Sequence, residues 1–270
     1  MAFSVIIPAR YQSSRLPGKP LLDIGGMSML QRVYQQACKS DAEQVYIATD
    51  HDLIFVHAQG FCDQVIMTRK DHPTGTDRLQ EVTAQLGMDE QHVVVNVQGD
   101  EPLIPPELIN KVAYNLQEHA QAAIATLAEP IEHSDQVFDA NAVKLVRNAL
   151  GMAMYFSRAP LPWDRQWQGV ASKSKKMPTN SLNCGPDGLN YLRHIGLYAY
   201  RVGFLHRYVT WPQSSNEALE SLEQLRALHH GEQIHVDIAP NGMPAGVDTM
   251  ADLERMRVYV ATQESEVNGG

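Results

Sequence analysis

The side chains best placed for chemistry fall in three short stretches far apart in the chain. The first is Pro8-Ala9-Arg10-Tyr11-Gln12-Ser13-Ser14-Arg15-Leu16-Pro17-Gly18-Lys19-Pro20, where Arg10, Arg15 and Lys19 crowd into ten positions. Its three prolines and one glycine bar regular pairing, so it reads as a loop. Three cations here, in a chain of net charge −9, point to a phosphate-rich ligand rather than a generally basic surface. The alternative is a solvated loop whose charges only aid solubility. The second stretch is Gln98-Gly99-Asp100-Glu101-Pro102 and the third is Gly246-Val247-Asp248-Thr249. Magnesium takes one or two carboxylates together with phosphate oxygens and water, which makes Asp100 and Asp248 candidate ligands. Spacing does not separate Asp100 from Glu101. Asp248 or Thr249 would equally serve as a plain cap for the last helix.

The common phosphate-binding loops do not fit this pattern. A Walker A loop needs Gly at position 13 and Ser or Thr after Lys19, but the chain has Ser13 and Pro20. No Gly-x-Gly-x-x-Gly opens the first helix. Lys19 and the arginines must therefore hold the phosphates. A further stretch, Asp71-His72-Pro73-Thr74-Gly75-Thr76-Asp77-Arg78, offers a close backbone approach at Gly75 and a helix N-terminus at Thr76 or Asp77 that could receive an anionic or polar group, with Arg78 one turn in. An ordinary capped helix explains it equally well. His194 and Tyr198 stand four apart on a strand and so share a face. Glu223 and Gln224 read as the solvated flank of a helix with core stripe Leu219, Leu222, Leu225 and Leu228. Trp163, Trp167 and Trp211 read as packing.

The elements that must position these groups alternate. Phe3 to Ile7 is apolar on both faces and reads as a buried strand whose carboxyl end releases the basic loop, the place where open α/β sheets put their ligands. Val45 to Thr49, Gln64 to Met67 and His92 to Val97 read as further strands, the last being central. Between them lie helices from Ser28 to about Cys38, from Asp50-His51-Asp52, and from Thr76 or Asp77 through Leu86, with another starting at Pro105-Pro106. Strand–helix repeats joined by short loops predict an α/β fold with a mostly parallel sheet covered on both faces. Later strands are expected over Ala122 to Ala128, Ala142 to Val146, His194 to Tyr200 and Ile234 to Ile238. Helices are expected through Tyr208, from Ser215 to His229, and from Thr249 onward. Trp163 to Asn190 has no periodic pattern and reads as a flexible insertion.

Bulk properties exclude several classes. The 270 residues suffice for one α/β domain, 1–270, with a smaller sub-domain at 155–215. The acidic balance argues against nucleic acid as a partner. Cys38, Cys62 and Cys184 are odd in number and far apart, so neither a disulfide framework nor a zinc site is suggested. No segment reaches the ~18 apolar residues of a membrane span, and the chain opens on a strand without a signal peptide, so a cytoplasmic location is expected.

With these pieces laid out, the sequence resembles the 3-deoxy-manno-octulosonate (Kdo) cytidylyltransferases, the CMP-Kdo synthetases of Gram-negative bacteria. The resemblance rests on Ile7 to Tyr11 with Arg15 to Leu21, on Ala48-Thr49-Asp50, on Gly75 to Arg78 and on Val95 to Pro102. Ser157-Arg158-Ala159, Arg193 to Gly196, Leu222 to Arg226 and Gly246 to Thr249 follow in the same order. It implies a three-layer fold of nucleotidyltransferase (nucleotide-diphospho-sugar transferase) type, usually a homodimer, that joins CTP to Kdo and releases pyrophosphate. By motif it places magnesium on Asp100 and Asp248, and the triphosphate on Arg10, Arg15 and Lys19. It sets Ala9, Thr74, Gly75, Arg78 and Gln98 on the cytidine side, and Arg158, His194, Tyr198, Glu223 and Gln224 on the sugar acid. One departure is the segment from about Gln168 to Asn190, with Lys173, Lys175 and Lys176, which is longer than the family leads one to expect. A cytidylyltransferase for another acid sugar and a non-catalytic nucleotide sensor are the alternatives.

Overall fold

The computed structural model describes residues 2–12, 16–165, 191–240, 243–244 and 246–268, with side chains up to 263. Arg15, Trp167, Cys184, the three lysines and nearly all of the expected insertion thus lie outside the described residues. The chain forms two compact units. One comprises Met1–Tyr114, Ala199–Val209 and Met243–Gly270, and the other Asn115–Tyr198 and Thr210–Gly242.

The first unit opens with β1 (Phe3–Ala9), buried everywhere except at Pro8. A 3₁₀ turn at Lys19–Leu21 follows the basic loop. The hairpin of β2 (Asp23–Ile24) and β3 (Met27–Ser28) then turns on Gly25 and Gly26, whose φ values of 59° and 77° explain why both positions are glycine. Ser28 caps α1 (Met29–Ala37), its Oγ accepting from the Gln31 N–H at 3.1 Å. Next come β4 (Gln44–Thr49), α2 (Asp52–Gln59), β5 (Val65–Met67), α3 (Gly75–Gln85), β6 (Val93–Asn96) and α4 (Pro106–Glu118). The cap of α3 is Thr74 rather than Thr76 or Asp77. Its hydroxyl oxygen accepts from the Asp77 N–H while Asp77 accepts from the Thr74 N–H, so the Thr-x-x-Asp pair moves the helix start two residues upstream.

In this unit β1 lies between β4 and β6, all parallel, with β5 beside β4. Ala9 pairs with Thr49 and Ile6 with Asn96. The basic loop and the Asp100 loop consequently leave the carboxyl ends of adjacent parallel strands, which is how Lys19 and Asp100, 81 positions apart, come to share one edge.

The second unit holds β7 (Ile124–Pro130), α5 (Ser134–Phe138), β8 (Lys144–Arg147), β9 (Ala153–Ser157) and most of β10 (Leu192–Arg201). After α6 (Val202–Tyr208), which belongs to the first unit, it adds α7 (Ser215–Glu220), α8 (Gln224–His229) and β11 (Ile234–Ile238). β11 and β7 pair in parallel, whereas β8 is antiparallel to both β9 and β10. Neither α5 nor β9 is foreshadowed by the sequence pattern, and the single helix expected over Ser215 to His229 is two. The last helix, α9 (Met250–Asn268), returns to the first unit. Its Leu253, Met256 and Val260 join Leu16, Ile24, Met29 and Val247 in a buried cluster that fixes both the basic loop and the Asp248 bend from beneath.

Candidate active site

The first unit brings the three charged stretches together. The Lys19 ammonium donates to Asp100 Oδ2 at 2.7 Å and to Asp248 Oδ1 at 3.1 Å. The lysine side chain is only 11% exposed, whereas those of Asp100 and Asp248 are 36% and 53% exposed, so the cluster opens to solvent on its acidic side. Local chemistry holds each member. Gly18 takes φ 67° and donates its N–H to the Tyr11 carbonyl at 3.0 Å, closing the loop, and the Lys19 N–H donates to the Leu16 carbonyl. Tyr11 stacks on His51, with ring centroids 4.0 Å apart.

The two acidic bends are stitched to each other through the Val247 N–H, which donates to the Asp100 carbonyl at 2.9 Å, while the Val247 side chain is buried in the cluster below. Asp252 organises the Asp248 side. Its Oδ2 accepts from the Asp248 N–H at 3.1 Å and from both the N–H and the hydroxyl of Thr249 at 2.7 Å each. The Thr249 bonds are the main cause holding the Asp252 carboxyl below the usual carboxylate range.

The neighbours that sequence spacing left undivided separate here. Asp100 meets the ammonium, whereas Glu101 is turned inward. Burial, reinforced by the Asp100 carboxylate and opposed by Lys19, pushes the Glu101 carboxyl up to about 8. Gly99 is required for packing: a Cβ there would stand 3.0 Å from the Pro8 carbonyl oxygen, so the close approach is by β1 itself.

On the proposed cytidine side, Ala9 is buried at the end of β1, and Thr74 and Gly75 open α3. Gln98 is half-buried and its carbonyl accepts from the Glu101 N–H at 3.4 Å. Arg10 is half-buried and reaches the Pro73 carbonyl at 3.4 Å. Arg78 is fully buried and donates to Asp50 Oδ2 at 2.7 Å and to the Thr68 hydroxyl, which makes it a tie between α3 and the segments after β4 and β5.

The second unit holds the other five residues. Arg158 donates from Nε to the Glu220 carbonyl (2.6 Å), from Nη1 to the Ala140 carbonyl (2.9 Å) and from Nη2 to the Ser221 carbonyl (3.4 Å). Glu220 in turn accepts from Ser157 Oγ and the Arg158 N–H, and buried Lys144 donates to the Arg158 and Asp139 carbonyls. The Glu220 and Ser221 carbonyls that accept from Arg158 lie where the chain breaks between α7 and α8, at Ser221 with φ 51°. That break leaves Leu219 85% exposed, contrary to the expected stripe, and buries Gln224 beside Leu222, Leu225 and Ala227. The Gln224 Nε2 is buried and makes no hydrogen bond among the described residues. Glu223 is exposed at the start of α8. His194 and Tyr198 share a face of β10, with rings 5.2 Å apart. His194 Nε2 lies 3.0 Å from the Thr126 hydroxyl, which also lies within bonding distance of two backbone carbonyls. A hydroxyl has one proton to give, so Thr126 donates to a carbonyl and accepts from His194, whose pKa burial lowers to about 3.

Sequence reasoning passed over Glu217 and Glu220. Glu217 is buried in a two-bond ion pair with Arg226 and completes a capping box with Ser214. The Ser-x-x-Glu spacing was the available signal.

An α/β fold with cations and carboxylates gathered at the carboxyl ends of parallel strands has the charge pattern that a phosphate-bearing ligand with a metal would need, and the comparisons narrow it to the nucleotidyltransferases. The model of the family described as cytidylyltransferase matches residues 4–234. The chain is 53% identical over 260 residues to the 3-deoxy-manno-octulosonate cytidylyltransferase of Hahella chejuensis, covering 96% of this chain and 98% of the relative. It is 54% identical to that of Pseudomonas fluorescens Pf-5, covering 95% and 97%. A solved structure described as CMP:2-keto-3-deoxy-manno-octonic acid synthetase complexed with CTP superposes with a TM-score of 0.84 at 38% identity, covering 97% of this chain and all of the other. The chain belongs to the 3-deoxy-manno-octulosonate cytidylyltransferases, within the cytidylyltransferase family.

Proposed function

We propose that this protein transfers CMP from CTP to Kdo, giving CMP-Kdo and pyrophosphate for lipopolysaccharide synthesis. The observation that carries the reading is the convergence of Lys19, Asp100 and Asp248. The reaction needs it because the sugar acid and the triphosphate are both anionic and repel before any bond forms. Attack of a sugar hydroxyl on the α-phosphorus adds charge to the phosphate oxygens and to the leaving pyrophosphate. Lys19 and Arg10, together with Arg15, neutralise that charge, and fixed cations are most effective where little water competes.

The donor set also suits magnesium. Two carboxylates already converge on a single cation, and the ion takes its remaining ligands from phosphate and water. Asp100 and Asp248 would hold it, and when bound it would supply Lewis-acid neutralisation of the phosphate oxygens. Asp252 and Val247 keep the two carboxylates at this separation. Arg78 sets α3, so that Thr74 and Gly75 present the cytidine side with Ala9 and Gln98.

Arg158, His194, Tyr198, Glu223 and Gln224 are assigned to the sugar acid. The buried Gln224 amide supports this, since a donor with no acceptor among the described residues suits a ligand hydroxyl or carboxylate. The protein is assigned to the cytoplasm as a homodimer, its mass in solution being the check on the latter. Pyrophosphate release measured across CTP, UTP, ATP and GTP, with Kdo and with other acid sugars as acceptors, tests the reading. Release confined to CTP with Kdo is expected. Preference for a sialic acid or an amino analogue of Kdo would move the assignment to a sister enzyme, and binding of CTP without release would make the protein a sensor.

A further inference from the structure

The Lys19 ammonium sits where a divalent cation would bind. It donates to one oxygen of Asp100 and one of Asp248, and those are the carboxylates assigned to magnesium above. The two occupancies exclude each other. Magnesium bonds carboxylate oxygens at about 2.0–2.1 Å, so an ion between the two aspartates would lie well inside the space taken by an ammonium 2.7 and 3.1 Å from the same oxygens. A dication beside an ammonium is also strongly repelled.

The lysine has somewhere to go only if another anion arrives. Its backbone is fixed by the Gly18 turn, by Pro20 and by the hydrogen bond to Leu16, so only the four-carbon stem can swing. Its side chain is mostly buried, whereas the acidic partners face solvent, so leaving both carboxylates for water alone offers the ammonium little. A triphosphate supplies a replacement partner of higher charge.

We propose that Lys19 is the resident counter-ion of the two-carboxylate site, keeping it closed to free metal until a triphosphate draws the ammonium away. Metal then enters with the nucleotide and not before it. The lysine has two stations, the carboxylates in the resting protein and the phosphates in the loaded one. This rests on the reading of Asp100 and Asp248 as the metal pair.

The test is manganese binding without nucleotide, followed by electron paramagnetic resonance of the free ion. The wild-type protein is expected to bind Mn²⁺ weakly. Lys19→Met, similar in length and uncharged, is expected to bind it at least about tenfold more tightly. Lys19→Gln, which keeps a donor for the carboxylates, is expected to show the same gain if the Met variant folds poorly. The gain should vanish when Asp100→Asn is added to either variant. Micromolar Mn²⁺ binding by the wild type alone would overturn the proposal. So would a well-folded neutral variant that binds Mn²⁺ no better than wild type. The outcome is separable from the catalytic reading: a protein that failed the pyrophosphate assay would still show the gain, and a missing gain with intact CTP and Kdo turnover would remove this inference alone.

Discussion

In the first unit one lysine is shared between two carboxylates that face solvent; in the second, one arginine is spread over three backbone carbonyls, and a buried Arg226–Glu217 pair bridges α7 and α8. The first arrangement is made of exchangeable ionic contacts. The backbones beneath are held separately by Val247, Asp252 and the Gly18 turn, so on the proposed reading a phosphate or metal would replace these contacts without disturbing the chain. The second is made of contacts to the backbone on either side of the Ser221 break and between the two helices that flank it. On the proposed reading, charge in the first unit serves the reaction, whereas the Arg158 and Arg226 contacts of the second unit hold the chain path.

The comparison breaks most sharply if the two sets of mutants behave alike. Asp100→Asn and Lys19→Ala should each lower turnover on the order of a thousandfold while leaving circular dichroism and urea midpoints nearly unchanged. Near-normal rates would dissolve the contrast. Glu217→Ala should do the opposite, removing the carboxylate that pairs with the buried Arg226 guanidinium and costing about 3 kcal/mol of stability by urea titration.

A third expectation concerns pH and is confined to the second unit. His194 and His235 are both neutral in the fold. Burial lowers His194 to about 3, and burial together with the His119 ring stacked 3.5 Å away lowers His235 to about 4. Their ordinary value is 6.5, so the unfolded chain takes up these protons first. The stability they confer is complete above about pH 6.5 and drains as pH falls toward 4, at up to about 1.4 kcal/mol per pH unit for each histidine. Urea titrations at pH 7.5, 6 and 5 should show this slope, and His235→Gln should reduce it by about one proton's worth. The smallest effect is expected at Gln224. Replacing it with Leu should raise the KM for the sugar acid about tenfold, leave the KM for CTP unchanged and cost little stability, because its Nε2 has no acceptor among the described residues to lose. An unchanged sugar KM would remove Gln224 from the site.

How much of this was legible in the sequence divides along the same line. The first unit is built from local signals: an apolar run for β1, a Ser28 cap, glycines where φ is positive, and a Leu253, Met256 and Val260 stripe that does pack inward. Its loops follow from the parallel order of its strands. The cap of α3 fell at Thr74 because two threonines competed and the Thr-x-x-Asp pair decided it. In the second unit the leucine spacing over Leu219 to Leu228 is helical throughout. At the break the Glu220 and Ser221 carbonyls accept from Arg158, a partner distant in sequence that no local pattern marks. The tight fit of Gly99, where a Cβ would stand 3.0 Å from the Pro8 carbonyl oxygen, depends on the neighbouring strand and has no local signal.

The central claim is that Lys19, Asp100 and Asp248 form the seat of a metal-bound triphosphate. Anomalous diffraction from crystals grown with Mn²⁺ and a non-cleavable CTP analogue tests it most directly. The account predicts a manganese peak bonded to both Asp100 and Asp248, with the Lys19 ammonium on phosphate oxygens. Nucleotide and metal bound elsewhere, with Lys19 still bridging the two aspartates, would contradict it.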